Sequence, residues 1–349
     1  MRKQSNRKNE HVSLSENFYS EATSSLTDVH FIHHSLPDMD LAEVDLSTQL
    51  GNLEFSLPFF VNAMTGGSDW TGKLNQKLAI VARETGLAMA TGSISTALRN
   101  PDQTDSYSIV RKENPEGLVF ANLGAGHGAE NAKRAVDIVE ADAIQIHLNA
   151  PQELVMPEGD RKFSSWIKNI EEIVENVEQP LIVKEVGFGM SRETIQLLES
   201  IGVKYIDISG KGGTNFAKIE NFRRQEQKLD GLESWGQSTS FSLLEAMEVK
   251  KESNIIASGG IRSAQDIVKS LAIGASLVGI SSEFMHLIIK DLDAGIKQVQ
   301  QWKMEIARTM TLLGAHNIEG LKKSDLIIQG KTAEWANLRN IDLKKYANR

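Results

Sequence analysis

No cysteine occurs anywhere in the 349 residues. That excludes disulfides, thiolate metal sites and any mechanism built on a thiol nucleophile, and it suits a reducing cytoplasm. Proline is scarce, 7 residues against 27 glycines, so tight turns between elements are expected rather than Pro-rich linkers. Basic charge is in deficit as well. A formal net charge of -8 argues against a nucleic-acid partner, which requires a basic face. Local Lys and Arg clusters can still receive an anionic substrate. No apolar run approaches the ~18 residues that span a bilayer, so no membrane partner is expected. Arg2, Lys3, Arg7 and Lys8 hint at a targeting peptide, but no apolar segment follows them and Glu10, Glu16 and Glu21 intervene. The reading is a cytoplasmic protein.

What the chain does contain is a repeat. Residues 1–57 have weak periodicity and read as an N-terminal arm of loops and short helices. From Pro58 onward, short apolar runs end in Gly, Ser or Asn and are followed by segments of helical period. The predicted strands are 58–64, 88–93, 117–124, 143–149, 180–187, 205–210, 254–260 and 277–281. Helical spacing shows in Leu74, Leu78, Val81 and Ala82, and again in Ile167, Ile170, Ile173, Val174 and Val177. Eight strand–helix repeats predict an α/β protein with a parallel sheet closed into a (β/α)8 TIM barrel over residues 58–315. An open doubly wound sheet is the rival, and it demands no particular strand number. A long amphipathic stretch, 293–313, closes the barrel. Residues 316–349 show no strand pattern and are expected to pack outside as a helical extension. The longest interval between strands, 211–237, is where a lid is expected.

Two glycine-rich stretches carry little weight. Gly124-Ala125-Gly126-His127-Gly128-Ala129 matches a dinucleotide fingerprint, but no acidic residue ends the next strand. Ser209-Gly210-Lys211-Gly212-Gly213-Thr214 resembles a P-loop, yet Gly follows the lysine where Ser or Thr is required. More informative are Ala257-Ser258-Gly259-Gly260-Ile261-Arg262 and Gly279-Ile280-Ser281, at the ends of strands seven and eight. Barrels commonly bind phosphate there, at the N-terminus of a short helix. Adjacent glycines let backbone N–H groups approach phosphate oxygens. A turn without any ligand is the plainer alternative.

Other polar residues are ambiguous by themselves. Lys184 sits in an apolar run, so it either pairs with an acid such as Glu185 or stands near an anion. His147, Asn149, Gln152 and Glu153 cluster after strand four, although a histidine on a strand is more often structural and a lone Glu more often solvated. Arg7, Lys8, His11 and Arg99 read, on charge alone, as a solvated basic patch.

Together, these motifs resemble known families. The paired glycine motifs resemble the FMN-dependent barrels. Hydroxy-acid oxidases of that group carry His-Gly-x-Arg where this chain has Lys211-Gly212-Gly213-Thr214-Asn215-Phe216, and inosine-monophosphate dehydrogenase needs a cysteine. Four motifs instead resemble type 2 isopentenyl-diphosphate isomerase over nearly the whole length. They are Arg7-Lys8-Asn9-Glu10-His11, Asn62-Ala63-Met64-Thr65-Gly66-Gly67, His147-Leu148-Asn149-Ala150-Pro151-Gln152-Glu153, and Lys211-Gly212-Gly213-Thr214-Asn215. Met156-Pro157-Glu158-Gly159-Asp160-Arg161 and Lys184-Glu185-Val186-Gly187 extend the match.

That resemblance implies a set of roles. FMN is bound by Ala63, Met64, Thr65, Ser93, Asn122, Lys184, Ser209, Thr214, Gly259, Gly260, Ile280 and Ser281. Arg7, Lys8, His11, Arg99, His147, Asn149 and Gln152 bind the substrate, and Glu153 holds Mg2+. Gln152, His147 and Lys184 are the expected catalytic residues, with Lys184 steadying the negative charge of the reduced ring. Glu220, in Ile219-Glu220-Asn221, stands as an acid of the lid loop. The implied reaction interconverts isopentenyl and dimethylallyl diphosphate with no net redox change, NADPH serving to reduce the flavin. A homotetramer or octamer is implied too. Another FMN-barrel oxidoreductase acting on a small acid, and a flavin-binding barrel without catalysis, remain as alternatives.

Overall fold

The computed structural model describes residues 2–19, 24–224 and 227–349. Glu21 and the side chains of Arg2 and Lys3 lie outside the described residues. Eight parallel strands close a barrel: β1 Phe59–Val61, β2 Met89–Ala90, β3 Val119–Gly124, β4 Ala143–Leu148, β5 Leu181–Glu185, β6 Tyr205–Asp207, β7 Asn254–Ser258 and β8 Leu277–Ile280. They follow one another around the barrel in chain order, and β8 pairs back on β1 through Gly279 opposite Phe60. Strands covered on both faces read as continuous apolar runs, which is why they were legible. β5 is buried at every position, and its Lys184 and Glu185 are the exceptions to the apolar rule.

Helices follow each strand, and several start on serine caps. Ser68, Ser191, Ser238 and Ser263 accept backbone N–H groups at the starts of Asp69–Thr85, Arg192–Ser200, Thr239–Val249 and Ala264–Ile273. The barrel interior is layered. At the bottom, Phe60, Phe120, Ile182, Ile256 and Leu277 pack against Leu50, Leu53 and Phe55 of an antiparallel hairpin, Thr48–Leu50 with Leu53–Phe55. Gly51 at the hairpin tip stands against Tyr205, the first residue of β6. The bottom is therefore plugged with apolar side chains, and only the opposite, C-terminal end is left for a ligand.

Three local expectations are corrected. The arm is not a set of loops and short helices: it opens on a 16-residue helix, Arg2–Asn17, and adds the hairpin. Residues 316–349 do contain a strand, Leu326–Ile328, which pairs antiparallel with Val29–Phe31. Three residues are too few to show a period of two. Finally, β2 ends at Ala90 rather than running to Ser93. Gly92 crosses the backbone of Thr65, where an added Cβ would lie 2.6 Å from the Thr65 nitrogen, and the chain leaves the sheet there.

Candidate active site

The C-terminal ends of the strands surround one cavity of about 410 Å3. Every candidate cofactor, substrate and metal residue named from the sequence lines it, from Arg7, Lys8 and His11 of the arm to Ile280 and Ser281 beyond β8. Glu220 does not line it; that side chain is fully buried behind Gln152. The arm helix roofs the opening. Ser68 Oγ donates to Asn9 Oδ1 at 2.6 Å, Ser15 Oγ lies 3.1 Å from Thr214 Oγ1, and Val12 is buried. A helix with so few apolar residues is not stable alone, so these contacts are what hold it.

Glycines at the ends of β7 and β8 are required by backbone packing. Gly259 and Gly260 have φ of 92° and 73°. A Cβ on Gly259 would fall 1.9 Å from the Gly210 oxygen, and one on Gly260 would fall 2.7 Å from the Gly212 carbonyl carbon. The loops after β6 and β7 thus touch backbone to backbone. Gly213, Gly259 and Gly260 of these loops line the cavity near the starts of the helices Ala264–Ile273 and Ser282–Lys290, a setting suited to a phosphate. Gly260→Val is expected to do more than crowd a phosphate. It should cost about 2–4 kcal/mol of stability and weaken FMN binding at least ~10-fold. Thermal unfolding and FMN titration check both, and an unchanged FMN affinity would remove the cradle assignment.

Lys184 is 5% exposed, and its Nζ donates to the backbone oxygen of Glu185 at 2.7 Å. Glu185 is not its ion-pair partner. That carboxylate accepts the N–H groups of Val186 and Phe188, each at 2.6 Å, and burial pushes it up to about 8. Burial likewise lowers Lys184 below the ordinary lysine range, opposed first by Asp207 and then by Glu185. Across the β4–β5 register Lys184 stands beside His147. Burial pulls that imidazole down to about 3, helped by the charges of Lys184 and Lys8, so it is neutral.

A second feature concerns cations. The Lys8 side chain is half-buried in the cavity wall, and its amine is lowered to about 7 by burial and by the charges of Arg7 and Arg99. Among the described residues its one hydrogen bond is long, 3.5 Å to the Ser93 oxygen, and Arg7 stands 3.9 Å from the Glu158 carboxylate. Positive groups crowded in this way call for an anion. Lys8 and Arg99 therefore line the cavity rather than forming the solvated patch that charge alone suggests.

Comparison with known proteins decides the family. The model for FMN-dependent dehydrogenases matches residues 123–328. A Staphylococcus epidermidis protein named isopentenyl-diphosphate delta-isomerase is 47% identical over 340 residues, covering 97% of each chain. A Staphylococcus aureus protein of the same name is 46% identical over 340 residues, again 97% of each. The chain belongs to the isopentenyl-diphosphate delta-isomerase family, in its FMN-dependent form. Solved structures carry the same fold at low identity. A flavocytochrome b2 variant with benzoylformate gives a TM-score of 0.65 at 21% identity over 94% of this chain and 79% of that one. A mandelate oxidase variant with (S)-mandelic acid gives 0.63 at 15%, over 92% and 91%.

In this isomerase-family barrel, the segment after β4 meets the helix Phe216–Arg223, which lies in the stretch where a lid is expected. Asn149 Nδ2 donates to Gln152 Oε1 at 3.2 Å and to Glu153 Oε1 at 2.9 Å. Gln152 Nε2 donates to Glu220 Oε1 at 3.2 Å, and His11 Nε2 lies 2.7 Å from the same oxygen. Burial pushes Glu220 up, but His11 and Arg223 outweigh it and hold the carboxyl below its ordinary value. Arg223 also donates to Glu10 at 2.9 Å and Glu158 at 3.0 Å, joining its own helix to the arm and to the segment after β4. Glu153 Oε2 accepts the Asp160 N–H at 2.8 Å. Among the described residues no group of three or more His, Asp or Glu is placed to hold a metal. A cation at Glu153 must complete its shell with phosphate and water oxygens, which is how Mg2+ is usually held.

Several residues of the site were not singled out from the sequence. Arg223 is one. Asn62, Gln145, Asp207 and Ser258 are others, forming a buried polar layer above the apolar plug. The available signal was a polar residue inside an apolar strand: Gln145 between Ile144 and Ile146, and Asp207 between Ile206 and Ile208. No helix among the described residues is long and apolar enough to cross a membrane.

Proposed function

We propose that the protein interconverts isopentenyl and dimethylallyl diphosphate, adding a proton at the terminal carbon and removing one from the far allylic carbon. The observation that carries this reading is the pairing of two anion sites in one cavity. The glycine cradle suits the phosphate of FMN, and the Arg7, Lys8 and Arg99 group suits a substrate diphosphate. Glu153, at the same mouth, supports a bridging Mg2+. When bound, reduced FMN supplies the acid–base group that a weakly basic alkene needs, NADPH serving only to reduce it.

The chain's own residues do the rest. Lys184 stabilises negative charge in the cavity, and Gln152 orients the hydrocarbon end of the substrate. The arm and lid, clamped through Arg223, exclude water from the proton transfers. The working form is a cytoplasmic homotetramer or octamer, a reading supported by the family resemblance.

The test is an anaerobic incubation of the protein with FMN, NADPH, Mg2+ and isopentenyl diphosphate, followed by NMR. Dimethylallyl diphosphate should accumulate far beyond the NADPH consumed, because the reaction has no net redox change. One NADPH used per product molecule would favour an oxidoreductase instead. FMN binding without turnover would favour a barrel that only holds its ligand.

A further inference from the structure

We propose that Gln145 is a positioning residue which, acting through Asn122, fixes the tautomer of His147 and presents its Nε2 as a hydrogen-bond acceptor to the bound ligand. The warrant is a directed chain of hydrogen bonds across the barrel interior. Asp207 Oδ1 accepts from Ser258 Oγ at 2.6 Å and from the Ser209 N–H at 3.2 Å, and its Oδ2 accepts from Asn62 Nδ2 at 2.7 Å. Asn62 is thereby oriented, and the Ala63 N–H confirms that orientation by donating to Asn62 Oδ1 at 2.8 Å. The same oxygen accepts from Gln145 Nε2 at 2.9 Å. Gln145 must then turn Oε1 toward Asn122, whose Nδ2 donates to it at 3.1 Å. Asn122 is left with Oδ1 facing His147 Nδ1, 2.9 Å away. An oxygen there accepts, so Nδ1 carries the proton.

Each step is forced by the one before. A carboxylate only accepts and a backbone N–H only donates, and each primary amide passes the polarity on. The Asn122 amide has no other hydrogen-bond partner among the described residues, so Gln145 alone decides which way it points. Gln145 is fully buried, which excludes water as a substitute partner. Because His147 is neutral, a single proton is shared between two nitrogens and its placement matters. With Nδ1 protonated, Nε2 holds a lone pair, and His147 lines the cavity.

A lone pair accepts from an N–H or O–H and is repelled by an ionised phosphate oxygen. The ligand group that His147 meets is therefore a hydrogen-bond donor, such as a ring N–H of a flavin. This replaces the substrate contact that the family resemblance implies for His147. The choice of ligand rests on the flavin-isomerase reading above, whereas the tautomer does not.

The test reads the tautomer directly. The protein has 8 histidines. In protein labelled with 15N-histidine and free of ligand, the His147 pair is assigned by its loss in His147→Asn. The nitrogen lacking a proton resonates well downfield of the one that carries it. The expected result in the parent is a protonated Nδ1 and a bare Nε2, and the reverse pattern overturns the proposal whatever the variants do.

Gln145→Met keeps the volume but cuts the chain, so a mixture of both tautomers is expected. Gln145→Glu, protonated in that buried place, keeps one donor and one acceptor and should retain the parent tautomer. Loss of the single tautomer in both variants, or in neither, means that the wiring does not set it. In Gln145→Met, reduced-FMN affinity should fall about fivefold to tenfold while the substrate KM stays near the parent value. A change in KM alone would instead place His147 on the substrate and sink the donor assignment. Because the NMR needs no turnover, a missing isomerase activity counts against the proposed function without touching this inference.

Discussion

Replacing Gln152 with asparagine is expected to lower kcat by about ten- to a thousandfold while leaving FMN binding intact. The side chain is held at both ends, with Oε1 taking the Asn149 amide and Nε2 given to buried Glu220. Asparagine is shorter by one methylene and cannot span both contacts. Gln has no pKa in a useful range, so its contribution is orientation, and orientation is what the shorter side chain loses. Glu220 would not be stranded, because His11 and Arg223 remain beside it. Folding should therefore survive. Neither contact involves the glycines after β7 or the residues after β8, which is why the flavin should stay. Turnover, KM and FMN affinity measured under reducing, anaerobic conditions make the check. Full turnover would take Gln152 out of the mechanism, and lost flavin would mean that the β4 loop faces the cofactor.

The barrel was legible in the sequence for a physical reason. Parallel strands buried on both faces must be apolar almost throughout, and they must end where a glycine, serine or asparagine lets the chain turn into a helix. Ile255, Ile256 and Ala257 followed by Gly259 and Gly260 show the whole pattern. The arm helix was not legible because it has no broad apolar stripe. Its place is set by contacts with residues far along the chain, Ser68 and Thr214 among them, and local periodicity carries no trace of those. The pairing of Val29–Phe31 with Leu326–Ile328 is hidden in the same way.

The candidate site divides along a similar line. Residues embedded in family-like motifs, such as Gln152 and Lys184, could be named from the sequence, and they line the cavity. Gln145, Asn62 and Asp207 act through one another inside the barrel, and only the fold brings those three strands together. Lys184 shows how sequence adjacency can mislead about a partner. The adjacent Glu185 turns its carboxylate to the Val186 and Phe188 N–H groups, and the opposing charge on Lys184 comes first from Asp207, across the β5–β6 register.

Lys8→Met is expected to raise the KM for isopentenyl diphosphate by about a hundredfold at neutral pH, and also to flatten its pH dependence. In the ligand-free protein, burial and the neighbouring Arg7 and Arg99 hold the Lys8 amine at about 7. A diphosphate placed against it favours the charged form and draws the pKa upward. Above pH 7 binding must therefore take up a proton, and affinity falls as pH rises, by as much as about tenfold per unit. The last proton of a phosphate group is lost near pH 6, below this window, and any remaining substrate effect is common to parent and variant.

The sign is opposite for stability. The unfolded lysine titrates near 10.5 and the folded one near 7, so between those values the unfolded chain binds the extra proton. Ligand-free stability from this group is lowest below pH 7 and rises toward pH 10.5. Lys8→Met should remove that rise and, by replacing a desolvated cation with an apolar side chain, stabilise the ligand-free protein at neutral pH. KM and thermal unfolding measured across pH 6–9 for both proteins provide the check. If KM in Lys8→Met still climbs with pH as steeply as in the parent, the proton is taken up elsewhere and Lys8 does not face the diphosphate.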